Sequence, residues 1–221
     1  MELSNTRTKL IRTAMLLFWE NGYHATSIAD VLKKAKVNSG SLYHFFPGKS
    51  DLLAAVLDLY HDGIRQMLLE PPSAGLADPL QKIFAVLGRY RRSLLETDCF
   101  YCSPIGSLAL ELRDPDERVR VRLAKNLRAW TDVIDDCLQQ SKLRIPAEVN
   151  RRELAQFVLT VMEGGVMQAR TFRDVAYFDG AVRQLRHYFA CLARGGSKRL
   201  MRRARIPARI VRKKAKSRIA P

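Results

Sequence analysis

Acidic residues are scarce in this sequence: 22 Asp and Glu stand against 38 Lys and Arg in 221 residues, a formal charge of +16. Apolar runs of membrane-spanning length are missing, and the opening MELSNTRTKLIR lacks a basic stretch followed by an apolar core and a cleavage site. The expectation is a cytoplasmic protein with no membrane partner. Cysteine is also sparse. Cys99, Cys102, Cys137 and Cys191 are too few and too scattered for a disulfide framework, so free thiols are expected. The four histidines, His24, His44, His61 and His187, show no pair of ligands one helical turn apart, and no nucleophile stands in a pattern with a base and an orienting group. No metal, no cofactor and no catalytic residue is therefore expected. Gly48-Lys49-Ser50 has the ending of a phosphate-binding loop, but Tyr43 occupies the place of its first glycine and no strand precedes it.

The positive charge sits at the two ends. Residues 1–50 hold seven basic and three acidic residues, and residues 194–221 hold twelve basic residues and no acid, while residues 51–193 balance at nineteen of each. Charge confined in this way is the footprint of a polyanion partner. The near-neutral middle needs another task. The 47% hydrophobic share is that of an ordinary globular chain.

What the sequence does contain is a pair of short helical patterns joined by a tight turn over residues 26–51. Thr26 or Ser27 opens the first, with Asp30 completing a capping box, and Ile28, Val31, Leu32 and Ala35 share one face. Lys36-Val37-Asn38 is the turn. Asn38 caps the second pattern, where Leu42, Phe45 and Phe46 turn inward and Ser39, Gly40, Ser41, Tyr43 and His44 are left outward. A helix with small residues at its start and longer polar ones behind suits insertion end-first into a DNA major groove. Before this unit, Leu10, Ile11, Ala14, Leu17 and Phe18 mark a helix ended by Asn21-Gly22, the third member of a small bundle. After it, a helix over about 49–69 connects the reader to the body.

Thr26-Ser27, Asp30-Val31, Ala35-x-Val37, Gly40-x-Leu42-Tyr43-x-x-Phe46 and Gly48-Lys49-x-x-Leu52 together resemble the DNA-binding signature of the TetR/AcrR family of transcriptional repressors. Two positions depart from it: Lys36 stands where the family has Gly, and Asn38 where it has Ser. A left-handed Lys costs roughly 1 kcal/mol relative to Gly, which a packed domain tolerates. The resemblance implies an all-α fold, a helix-turn-helix domain over 1–48 followed by a helical ligand-binding and dimerisation domain over 70–194. A basic tail with the composition of a disordered segment follows over 195–221. The implied partners are a double-stranded DNA operator, a second copy of the chain and a small-molecule effector whose identity the sequence leaves open. Ser39, Gly40 and Ser41 are assigned to base edges, and Thr26, Tyr43, His44 and Lys49 to phosphates. The competing reading is a basic architectural or RNA-associated helical protein without an effector, in which the tail does the binding.

In the body, Asp78-Pro79 opens a helix to about Glu96, Ser103-Pro104 opens another, Asp114-Pro115 caps a long one through Leu138, and Pro146 opens one that carries Gly164-Gly165. The Cys102-Ser103-Pro104-Ile105-Gly106 to Leu108-Ala109-Leu110-Glu111-Leu112 segment also resembles the ligand domain of many family members. Leu87, Cys102, Leu108, Trp130, Phe157, Met162 and Met167 are the effector-pocket candidates, and all could equally be core. Cys102 carries two readings, a reactive thiol at a helix start with Cys99 as its resolving partner, or a small buried apolar residue. Val158, Val161, Gly165, Phe178, Val182, Leu185 and Phe189 form stripes on the last two helices. Periodicity alone reads them as intramolecular core, and the resemblance reads them as a four-helix dimer interface. The basic tail either adds non-specific DNA affinity or is a solvated end.

Overall fold

The computed structural model describes residues 2–69, 75–141, 143 and 145–194, and among these are nine helices and no strand. The tail expected at 195–221 lies outside the described residues. Helices α1 (Glu2–Asn21), α2 (Ile28–Ala35), α3 (Ser39–Phe45) and α4 (Lys49–Leu69) form the N-terminal part. The body holds α5 (Pro79–Glu96), α6 (Pro104–Glu111), α7 (Glu117–Gln140), α8 (Arg151–Phe172) and α9 (Ala176–Ala193).

Local chemistry accounts for most boundaries. Ser27 accepts the Asp30 N–H while the Asp30 carboxylate accepts the Ser27 N–H, the reciprocal box that satisfies two orphan donors of α2. Lys36 ends α2 in the left-handed region at φ +52, and Asn38 caps α3 by accepting the Ser41 N–H. Gly22, at φ +89, closes α1 in a conformation that L side chains rarely adopt. Asp78 and Ser103 cap α5 and α6 with Pro at the first turn. Two starts differ from expectation. Asp116, not Asp114, caps α7, because its carboxylate accepts the Val119 N–H and the Ser50 hydroxyl as well. Asn150, not Pro146, starts α8 by accepting the N–H groups of Arg152 and Glu153.

Two apolar clusters hold the chain together. The first joins Leu10, Ala14 and Phe18 of α1, Val31, Leu42 and Leu52 to Leu57 of α4, and then Ile105, Leu108, Val119 and Leu123 of the body. The first half of α4 is thus part of the reader's core, and α6 and α7 close that core. The second cluster runs through α5, the later turns of α7, α8 and α9. Between the two, Asn126 of α7, buried, donates to the Leu57 carbonyl at 3.0 Å, and Arg122 pairs with Asp58 at 3.1 Å.

The periodic stripes on α8 and α9 meet each other inside the subunit. Val158, Gly165, Phe178, Leu185 and Phe189 are buried, and Val161 and Val182 are half-buried against the same cluster. The five buried residues are core of their own subunit, contrary to their assignment as dimer-interface residues. The two helices run antiparallel, since Gly165 faces Phe178 and Phe157 faces Tyr188. The most apolar stripe of such a pair is used to pack it on its own subunit. Gly165 answers for half of the glycine pair: a methyl there would lie 3.0 Å from the Phe178 ring, which is itself fully buried. Gly165→Ala should therefore destabilise the protein by about 1–2 kcal/mol in urea unfolding. Gly88→Ala, on an exposed site with nothing within 4 Å of the added methyl, should stabilise it by about 0.5–1 kcal/mol.

Candidate functional site

The outer face of α3 is formed by residues the fold does not use. Ser39, Gly40, Tyr43 and His44 are exposed and Ser41 is half-buried, whereas Leu42 and Phe46 anchor the helix in the core. A methyl built on Gly40 would meet only the Asn38 side chain, at 3.6 Å. Glycine in a helix costs about 1 kcal/mol relative to alanine, and nothing inside the protein requires it here. Lys49 begins α4 with its ammonium 4.2 Å from the centre of the Tyr23 ring, a cation–π contact with the segment between α1 and α2. Partial burial lowers its pKa, opposed by the charges of Glu111 and Asp30. Lys36 is exposed at the turn.

Thr26 departs from its assignment. It is 1% exposed, and its hydroxyl donates to the carbonyls of Leu17, at 3.1 Å, and Gly22, at 2.8 Å. A hydroxyl has one proton, and here it is committed to the end of α1, so the side chain has no donor left for a phosphate. Its sequence position at the head of α2 looked like a cap; Ser27 holds that role instead.

The body carries two cavities on either side of α6. One of about 340 Å³ lies between α6 and the end of α1, lined by Trp19, Asn21, Tyr60, Cys102, Leu108 and Glu111 among others. One of about 630 Å³ lies between α6 and α8, with Cys102, Gly106, Leu110, Glu163, Met167 and Arg170 in its wall. Of the pocket candidates, Cys102 and Met167 thus line the larger space, and Cys102 and Leu108 the smaller. Leu87, Trp130 and Met162 are buried around a gap of only about 10 Å³, room for one water at most and not for an effector. Phe157 is also misplaced by the periodicity argument: 45% exposed, it packs edge-on against Tyr188 of α9 and lines neither cavity. Cys99 and Cys102 are both buried, and burial raises the Cys99 thiol pKa, which disfavours its thiolate.

Three polar residues in this region have roles that the sequence did not assign. Glu163 of α8 accepts the Ser103 hydroxyl at 2.7 Å at the head of α6, and burial raises its pKa, with the Ser103 bond acting in the opposite sense. Glu111, the last residue of α6, accepts the backbone N–H groups of Tyr23 at 3.0 Å and His24 at 2.6 Å. Trp19 of α1 donates its indole N–H to the Cys102 carbonyl at 3.1 Å. Just ahead of α6, Asp98 and Cys99 both have positive φ, +49 and +58, a pair of left-handed residues costing about 1 kcal/mol or more each. An acid inside the apolar run of α8 was the one available signal for Glu163; its partner lies 60 residues away.

The comparisons with known proteins agree with this architecture. Residues 10–56 match the profile described as bacterial regulatory proteins, tetR family, and residues 79–184 match that of the LmrA/YxaF-like transcriptional regulator C-terminal domain. An HTH-type transcriptional regulator of Mycobacterium tuberculosis is 31% identical over 191 residues, covering 84% of this chain and 94% of the relative. The chain belongs to the TetR family. A transcriptional repressor of Escherichia coli, ComR, is 28% identical over 170 residues, 74% of this chain and 79% of the relative. In fold, this TetR-family regulator is similar to a TetR regulatory protein from Rhodobacter sphaeroides, with a TM-score of 0.72 at 21% identity over 80% of this chain and 95% of the other. No helix among the described residues of the regulator is long and apolar enough to cross a membrane.

The Glu163 environment has a consequence for stability. A carboxyl whose native pKa is raised opposes folding once it must ionise, so its penalty is absent below the unfolded value, about 4.3, and grows as pH rises through the raised native value. Glu163→Gln should thus unfold at a higher urea midpoint than the parent at pH 8, with the difference shrinking towards pH 4. A difference of constant size across that range would contradict the assignment.

Proposed function

We propose that this TetR-family regulator is a repressor that reads a palindromic operator as a homodimer and is released when a small molecule fills the α6–α8 cavity. The observation that carries the reading is the position of α6. One side of it walls the 630 Å³ cavity, and its last residue holds the two backbone N–H groups that lead from α1 into the helix-turn-helix. A shift of α6 driven by a ligand therefore bears directly on the pose of the reader. The E. coli relative named a repressor supports the sign of the regulation.

On the DNA side, Ser39, Gly40 and Ser41 approach base edges, while Tyr43, His44 and Lys49 flank them towards phosphates. The free space around Gly40 favours this reading, because the gain from a missing side chain must come from outside the chain. Lys36 adds a further cation at the turn.

The dimer face is the second stripe of the α8–α9 pair, the one left after the core is packed. On α8 it presents Phe157, Thr160, Gly164 and Gln168, and on α9 it presents Tyr177, Gln184 and Tyr188. Phe157 and Tyr177 are 45% and 40% exposed, and a methyl at Gly164 would meet nothing within 4 Å. Gly164, at the edge of the α6–α8 cavity, makes no contact inside the subunit that needs a missing side chain, and close approach of a second copy uses it. A two-fold pair places the two recognition helices on half-sites about 34–36 Å apart, or a multiple of that.

Two measurements test the reading. Sedimentation at micromolar concentration should give twice the chain mass of 25.2 kDa. In fluorescence anisotropy against a selected operator and a scrambled duplex, Gly40→Ala should weaken operator binding about tenfold or more and scrambled binding by less than about threefold, while adding up to about 1 kcal/mol of stability. Equal losses on both duplexes would remove α3 from base readout.

A further inference from the structure

We propose that the cavity between α6 and α8 takes an organic cation with an apolar body, its protonated amine paired with the carboxylate of Glu163. The inference rests on the effector reading above and names the chemistry of that effector. Glu163 projects from an otherwise apolar stretch of α8, next to Met162 and the glycine pair, into a cavity whose wall also carries Ala109, Leu110, Leu127, Val166 and Met167. Its volume of about 630 Å³ is that of a small-molecule site.

The protein leaves the carboxylate incomplete. One oxygen accepts the Ser103 hydroxyl, and no Lys, Arg or His contributes to the shift of its titration. Arg170 near the end of α8 and Arg173 just after it stand in the wall, and Arg173 is engaged with the Phe100 ring at 3.5 Å. Meanwhile α6 carries a glycine where any side chain would overlap Glu163: a methyl at Gly106 would collide with the second carboxylate oxygen. Two residues on different helices, 57 positions apart, thus form one device, a carboxylate and the gap that admits it. Both are unfavourable to the fold alone, since glycine weakens a helix and burial penalises an unpaired acid. A ligand that brings the missing counter-charge removes the second penalty, and it does so most strongly with a charged N–H donor, whose bond to a carboxylate is roughly twice as strong as a neutral one. A carboxylate held in a cavity by burial, with no cation of its own, is the pattern of a binding group rather than of a structural ion pair.

The test uses three probes of one shape on the full chain at pH 8 by isothermal titration: 4-phenylbutylamine, 4-phenylbutan-1-ol and 4-phenylbutanoate. The amine should bind at least about tenfold more tightly than the alcohol, and Glu163→Gln should bring the two within about threefold, chiefly through loss of amine affinity. Met167→Trp, which fills the cavity, should weaken amine and alcohol alike. Equal binding of amine and alcohol by the parent, a preference retained by Glu163→Gln, tightest binding of the acid, or no binding of any probe at millimolar concentration would each overturn the proposal. Operator release is read separately by anisotropy. Amine bound at Glu163 without release would leave the cation site standing and contradict the effector reading, whereas release by amine and alcohol at the same concentrations would do the reverse.

Discussion

The carboxylate of Glu111 gripping the peptide N–H groups of Tyr23 and His24 is the contact on which the working of the rest depends. By itself it is an awkward arrangement, because an acid at the last residue of α6 opposes the helix dipole. Two charge-assisted bonds to backbone donors offset that cost. The donors exist because Gly22 breaks α1 at φ +89 and turns the following peptides outward. Reader and body are thereby joined through backbone, not through mobile side chains alone.

Everything around this contact keeps α6 both held and free. Ile105 and Leu108 bury into the reader's core, Trp19 of α1 bonds the Cys102 carbonyl, and Ser103 bonds Glu163. Open space lies on both sides nonetheless, and the segment ahead of the helix is strained at Asp98 and Cys99. Under the proposed release, a short helix with polar tethers at both ends, space on both sides and strain behind it is the element placed to move. By contrast α4 and α7 are tied along their length, through Asn126 and the Leu57 carbonyl, Arg122 and Asp58, and Arg118 and Asp51 at 2.7 Å. A displacement of α6 would then act against a stiff frame.

The helix-turn-helix was legible because its signals are local: the capping box at Ser27 and Asp30, Asn38 as a cap and the left-handed Lys36 all act within a few residues. The same locality misled at Thr26, whose hydroxyl is used by α1, and at α7, where Asp116 outcompetes Asp114 through a bond to Ser50, 66 residues away. Periodicity found the apolar stripes of α8 and α9, yet it reports only that a face is buried and not against what. Thus Val158, Phe178, Leu185 and Phe189 were assigned to a partner when they pack on their own subunit. Phe157 illustrates the converse, an aromatic at the edge of that stripe which the subunit leaves half in solvent. Glu111 stood in a segment marked by the family resemblance but with no role assigned, and Glu163 had no local mark beyond its charge. Their roles arise from pairings 88 and 60 residues apart, which only the packed chain brings together.

The coupling of cavity to reader through α6 is tested most directly by a double-mutant cycle on operator affinity between Gly106→Ala, which forces Glu163 away from α6, and Glu111→Ala, which releases residues 23 and 24. If α6 transmits through Glu111, the cavity-side change should lose most of its effect once the grip is gone, so that the two effects fall short of additivity by about tenfold or more in Kd. Effects that multiply within about threefold would show that the cavity and the reader act independently, and would contradict the account.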